Sequence, residues 1–97
     1  MRRAARVDAN QAEIVAALRQ VGAFVFDCSR VGSGFPDLFV GFRGQAYLLE
    51  CKSAGGKLTP AEREFLALCP VPVHVVYGTD DALGAIGALT EARQCNS

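Results

Sequence analysis

The segment GFPDLFVGFRGQAYLLECK, residues 34–52, decides the fold because it predicts two strands joined by a tight turn. Residues 37–42 and 45–52 are rich in aromatic and aliphatic residues, and only Arg43 and Gly44 separate them. A two-residue loop is the commonest connection in a β-hairpin. Counting outward from this turn places Asp37 directly opposite Glu50.

Two acids in this arrangement require a compensating partner. Directly opposed residues have Cβ atoms about 4.5–5.5 Å apart, and like charges at that separation repel. The pair is tolerated if one carboxyl is protonated or if a cation lies between the two. Since side chains alternate along a strand, Lys52 shares the face of Glu50 while Cys51 points away.

Carboxylates of this kind suit Mg²⁺ or Mn²⁺, which prefer hard oxygen ligands. Such an ion lowers the pKa of a bound water and neutralises a phosphoryl oxygen during attack. A neighbouring lysine can orient the nucleophile or stabilise developing negative charge. The hairpin therefore predicts a metal site with a catalytic lysine. The alternative is that Asp37 caps a turn, and that Glu50 and Lys52 are ordinary charges exposed at a strand end.

The other elements are predicted from hydrophobic periodicity and from turn residues. They are a helix over 10–21, a strand over 23–29, a glycine-rich loop over 30–36, a helix from Thr59 to the residue before Pro70, a strand over 71–78 and a helix over 79–93. Their order is αβββαβα. The central strands are apolar on both faces, so helices are expected to cover both sides of a small mixed sheet, in an α/β fold.

Helix caps give two acids a second interpretation. Asn10 and Glu13 have the spacing of a capping box at the start of the first helix. Thr59 and Glu62 have the same spacing, with Pro60 at the first helical position. Glu13 and Glu62 are therefore either cap residues or members of the site.

Length and composition indicate one globular domain. The chain has 97 residues, of which 51 % are hydrophobic, and no apolar run approaches the ~20 residues of a membrane span. The basic start lacks the apolar region of a signal peptide, so a cytoplasmic protein is expected, with residues 1–8 as a flexible basic arm. A core this thin favours association. The four cysteines lack metal-binding spacing, and the apolar contexts of Cys28, Cys51 and Cys69 suit small core residues.

Charge is unevenly distributed along a chain whose net charge is zero. Residues 1–57 hold eight Arg and Lys against five acids, and residues 58–97 hold two against five. Metal ions on the acids of the first part would make it distinctly basic, as a nucleic-acid partner requires. Arg30 and Lys57, in loops flanking the hairpin, are candidate phosphate contacts. Asp27 is a rival acid for the site. His74 is predicted to be a packed or edge histidine and not a catalytic one.

Pro36-Asp37 followed by Glu50-Cys51-Lys52 resembles the PD-(D/E)xK nuclease motif. The sequence around this motif, GSGFPDLFVG and YLLECKSAGGKLTPAE, resembles the VRR-NUC branch of these nucleases, particularly its stand-alone phage members. The resemblance extends over about residues 9–77. Many members carry Gln one turn into the helix after the motif, where this chain has Glu62.

The resemblance implies a restriction-endonuclease-like core and a Mg²⁺- or Mn²⁺-dependent DNA endonuclease. Its substrates would be branched, four-way or flap DNA, with a homodimer acting like a Holliday junction resolvase. The metal ligands would be Asp37, Glu50 and the backbone carbonyl of Cys51, with Lys52 as the catalytic lysine and Glu13 as the acid of the first helix. The alternatives are a sequence-specific nuclease or a DNA-binding module of the same fold that does not cleave.

Overall fold

A computed structural model describes residues 2–90 of the chain, with side chains from residue 9 onward. The elements are α1 Arg2–Gln20, β1 Phe24–Asp27, β2 Leu38–Phe42, β3 Gln45–Cys51, α2 Pro60–Leu68, β4 Val73–Val76 and α3 Thr79–Ala85. The predicted αβββαβα order is confirmed for these residues. None of the described helices has the length and hydropathy that a membrane span needs.

The hairpin turn forms where the sequence predicts it. Arg43 and Gly44 have φ angles of 52° and 80°, and two consecutive positive values define the primed turn whose twist matches a hairpin. Val40 consequently lies opposite Tyr47, and Phe42 opposite Gln45. This is the predicted register, and its continuation beyond Leu38 and Leu49 brings Asp37 to Glu50.

The sheet is mixed and has the strand order β1-β2-β3-β4. β1, β2 and β3 pair antiparallel in chain order, and β4 pairs parallel to β3. α1 and α3 pack together against one face, and the core lies between them and the sheet. Its buried side chains include Ile14, Leu18, Val25, Val40, Leu49, Val76 and Leu83.

Helices were expected to cover both faces of the sheet, and this expectation is wrong for the second face, which they do not cover fully. Phe24, Phe26 and Phe39 project from this face and are 61 %, 59 % and 37 % exposed. α2 contacts only the end of the face where Glu50 and Lys52 lie, and it has no buried residue of its own.

Both terminal helices differ from their predicted bounds. α1 begins at Arg2, so Asn10 lies inside the helix and the predicted capping box with Glu13 does not form. The side chains of Arg2, Arg3 and Arg6, and residues 91–97 with Cys95, lie outside the described part. α3 ends at Ala85, because Gly87 adopts a φ of 74° and the amide of Ala88 bonds back to the carbonyl of Leu83.

α2 begins as predicted and is fixed to the loop that precedes Asp37. Thr59 and Glu62 form both hydrogen bonds of a capping box. The ring of Phe35 packs edge-on against Phe65, with centroids 5.3 Å apart. Gly34 lies so close to α2 that an added Cβ would be 2.3 Å from the carbonyl oxygen of Ala61. Only glycine fits this contact.

Gly34→Ala should therefore destabilise the fold more than Gly32→Ala. Both glycines have a φ of 79°, so both replacements incur the left-handed cost of about 1–2 kcal/mol. Only at Gly34 does the new methyl meet backbone, which adds about 1–3 kcal/mol of overpacking. Urea unfolding of the two variants measures the difference, and equal losses would contradict the contact.

Candidate metal centre

Glu50 is a buried carboxyl near the end of β3, where the strand passes beneath α2. Its side chain is 2 % exposed, and its Oε1 atom has no hydrogen-bond partner among the described residues. Burial raises the pKa of Glu50 to about 8, and the neighbouring Glu62 and Asp37 add to the shift. An ionised Glu50 at this position requires a nearby cation.

Asp37 lies beside Glu50, directly before β2. Its Oδ2 atom accepts a hydrogen bond of 2.9 Å from the amide of Cys51, and its carbonyl accepts one of 2.7 Å from the amide of Cys28. Burial raises the pKa of Asp37, the bond from Cys51 lowers it, and Glu62 raises it again. The backbone thus holds the Asp37 carboxyl in place although its charged form is disfavoured.

Cys51 presents its backbone to this site and its thiol to the core. In a strand, the amide and carbonyl of one residue point to the same edge, so the carbonyl of Cys51 faces the side on which Asp37 accepts from its amide. The thiol is buried, and burial with the nearby Asp37 and Glu50 raises its pKa to about 12. Its carbonyl oxygen is therefore the atom suited to a hard cation.

Lys52 and Glu62 complete the cluster. The Nζ atom of Lys52 lies 2.8 Å from Oε1 of Glu62 and 3.6 Å from Oε2 of Glu50. Burial lowers the pKa of Lys52, but Glu62 and Glu50 outweigh it and leave the pKa raised. Burial opposes ionisation of Glu62, yet the bonds from Lys52 and Thr59 lower its pKa to about 2. Glu62 is thus both a helix cap and a member of the cluster.

α1 reaches the site through residues other than Glu13. Asn10 donates its Nδ2 hydrogen to the carbonyl of Lys52 over 3.1 Å, and the buried Gln11 donates to Oδ2 of Asp27. Glu13 is exposed and makes no hydrogen bond or ion pair with the described side chains. The sequence did not predict this contact of Asn10. The feature that could have indicated it is a polar residue one helical turn before the core residue Ile14.

The remaining candidates lie outside the cluster. Arg30 lines a cleft of about 570 Å³ between α1 and β1, together with Arg19 and Asp27. Lys57 is exposed in the loop before α2. Asp27 accepts hydrogen bonds from Ser29, which lower its pKa. His74 is half-buried beside the ring of Tyr47, as predicted.

Three free thiols lie in the described part of the chain, which agrees with their predicted role as small packing residues. Cys28 and Cys51 are buried, and Cys69 is half-buried.

Within residues 9–90, no three His, Cys, Asp or Glu side chains converge as a ready metal-binding group. The donors that fit a cation are instead two carboxylates and one backbone carbonyl. The oxygen of Glu50 without a partner and the raised pKa values of Glu50 and Asp37 show that negative charge on this pair is disfavoured, and a bound cation would offset that cost. This donor chemistry suits Mg²⁺ or Mn²⁺.

Comparison of the chain with known proteins finds no relative for it. No protein-family model matches the chain, and no curated protein or solved structure matches it either. The resemblance to VRR-NUC nucleases therefore rests on the motif residues alone.

Glu50 predicts an unusual dependence of stability on pH in metal-free protein. Its folded pKa is raised from 4.5 to about 8, so its stabilising contribution is complete below pH 4.5 and is lost as pH rises through about 8. Glu50→Gln removes that titration and should flatten the fall in Tm across this window. Thermal melts between pH 4.5 and 9 measure it.

Glu64→Gln is the control, because Glu64 is an exposed acid on α2. It should keep the slope of the native protein. A native protein whose Tm does not fall over this pH range would contradict the buried, protonated state of Glu50.

Proposed function

We propose that the protein is a Mg²⁺- or Mn²⁺-dependent DNA endonuclease with a restriction-endonuclease-like core of the VRR-NUC type. One observation carries the proposal. A buried carboxylate oxygen of Glu50 has no partner, and it lies beside Asp37 and Lys52 at one end of the sheet. Burying a carboxyl oxygen without a partner is costly, and a cation bound at this oxygen would offset that cost.

Three groups would hold the ion: the carboxylates of Asp37 and Glu50 and the carbonyl of Cys51. When bound, the ion lowers the pKa of a water and offsets charge on a phosphoryl oxygen. Asp37 is positioned for this by the amide of Cys51, and Glu50 by its place within β3. Ionised Glu62 holds Lys52 protonated at the edge of the pair. There the ammonium can orient the attacking water or stabilise negative charge in the transition state.

The proposed substrate is branched DNA, such as a four-way junction or a flap. Charge supports a nucleic-acid partner, since residues 1–57 are the basic part of the chain and include the site. Arg30 and Lys57 are the proposed phosphate contacts, because both are exposed in loops next to the elements that carry the cluster. Two symmetric cuts in a junction require two sites, so the proposed active form is a homodimer.

A second candidate is a DNA-binding module that does not cleave. Its support is that Lys52 already pairs with Glu50 and Glu62, which offsets part of the acidic charge without any metal. The two candidate functions differ in whether the cluster binds Mn²⁺ and whether the protein cleaves DNA. A plasmid-nicking assay with and without divalent metal separates them.

Asp37→Asn and Glu50→Gln should each abolish nicking while the fold stays at least as stable. Each removes one of two neighbouring negative charges, and an amide oxygen at residue 37 can still accept the Cys51 amide hydrogen. Nicking of supercoiled plasmid in Mn²⁺, followed beside metal-free Tm, measures both effects. Glu64→Gln serves as the matched control and should cleave normally. Near-native cleavage by Asp37→Asn or Glu50→Gln would contradict the proposed metal site.

Lys52→Met should leave Mn²⁺ binding within a few-fold of native and lower single-turnover cleavage by about 10²-fold or more, the scale of a lost transition-state contact. The reason is that its ammonium acts on developing charge and is not a ligand. Calorimetric Mn²⁺ titration beside single-turnover kinetics tests this. Unchanged turnover would exclude Lys52 from the mechanism.

A further inference from the structure

The second face of the sheet carries a continuous apolar surface, here called the phenylalanine face. It comprises Phe24 and Phe26 on β1, Phe39 on β2, Leu48 on β3 and Val73 on β4. Phe26 pairs with Phe39, Phe39 with Leu48, and Leu48 with Val73, so these side chains form a row across all four strands. The ring of Phe24 packs edge-on against Phe39 with a centroid distance of 6.4 Å.

Within residues 9–90, no element covers this face beyond its end beside Glu50. α1 and α3 lie on the opposite side of the sheet, and α2 reaches only the end beside Glu50. Residues 91–97, with the sequence EARQCNS, hold only an alanine and a cysteine as apolar residues. Apolar sheet faces are normally buried against another layer, and a second copy of this chain can supply one.

Charge selects the class of partner. Except for Glu50, which lies beneath α2 at one end of the face, the strand positions on this face are uncharged: 24, 26, 39, 41, 46, 48, 73 and 75. A nucleic-acid strand would need Lys or Arg to meet its phosphates, and none lies on these positions. The uncharged row is instead compatible with itself, because a twofold axis through this row would bring no like charges together.

We infer that the phenylalanine face is an isologous interface with a second copy of this chain. This inference deepens the proposed homodimer by naming its contact surface. With about 200 Å² per phenylalanine, the exposed fractions of the three rings amount to about 300 Å². This apolar area would form the centre of an interface, and the rest of the about 800 Å² per partner that a stable dimer buries would come from the residues around it.

The interface also relates the two candidate metal centres. Asp37 precedes Phe39 by two residues and Glu50 follows Leu48 by two, so on each strand the acid lies about 6.8 Å from the apolar row. In the dimer, each site therefore borders the interface at the end of the sheet where α2 lies. Both sites belong to one rigid assembly.

Sedimentation equilibrium without DNA or metal tests the interface independently of nuclease activity. The native protein should be a dimer at micromolar concentration, and Phe26→Glu should weaken self-association by about tenfold or more. Ala16→Glu adds the same charge at an exposed position of α1, on the opposite side of the sheet, and should remain dimeric. A monomeric native protein, or a dimeric Phe26→Glu variant, would overturn the inference even if cleavage is confirmed.

Fluorine NMR of 4-fluorophenylalanine-labelled native protein keeps the test valid if Phe26→Glu unfolds. Of the six phenylalanines, the signals of Phe24, Phe26 and Phe39 should shift with protein concentration, whereas those of Phe35, Phe42 and Phe65 should not. Shifts that appear only when single-stranded DNA is added would overturn the dimer in favour of a base-stacking surface. Equal shifts of all six signals would also contradict it.

Discussion

The Glu50 carboxyl, buried next to Asp37, is the constraint on which the arrangement of this end of the molecule depends. An acid with 2 % exposure and an unpartnered oxygen opposes folding when ionised. Two features reduce that cost in the metal-free protein. Burial raises the pKa of Glu50 to about 8, so the carboxyl stays protonated at neutral pH, and the ammonium of Lys52 lies 3.6 Å away. In the proposed function, a cation shared with Asp37 would remove the rest of the cost.

Three separate segments hold this cluster in position, and none of them could form it alone. The hairpin turn fixes the register that brings Asp37 to Glu50. The loop before Asp37 packs onto α2 through Gly34, and α2 in turn supplies Glu62 to Lys52. On the other side of the sheet, Asn10 of α1 bonds to the backbone of Lys52. The position of the lysine is therefore sensitive to both helices.

Features governed by local sequence could be predicted, whereas those governed by distant contacts could not. The Arg43-Gly44 turn and the Thr59 cap depend on neighbouring residues, and both formed as expected. Asn10 was interpreted as a helix cap because its true partner, the carbonyl of Lys52, is 42 positions away. The exposed phenylalanines had the same pattern as buried ones, since strand alternation does not reveal whether a covering layer exists. The role of Glu62 was left open for the same reason, as one side chain serves two contacts.

The most direct test of the central claim is a ¹³C NMR titration of the Glu50 side-chain carboxyl with and without Mg²⁺. The account predicts an apparent pKa of about 8 in metal-free protein. Saturating Mg²⁺ should lower that pKa by about 1–3 units, since a nearby cation favours the ionised form. An ordinary glutamate pKa of about 4.3 would contradict the burial argument. A raised pKa that Mg²⁺ leaves unchanged would contradict the assignment of Asp37 and Glu50 as a metal site.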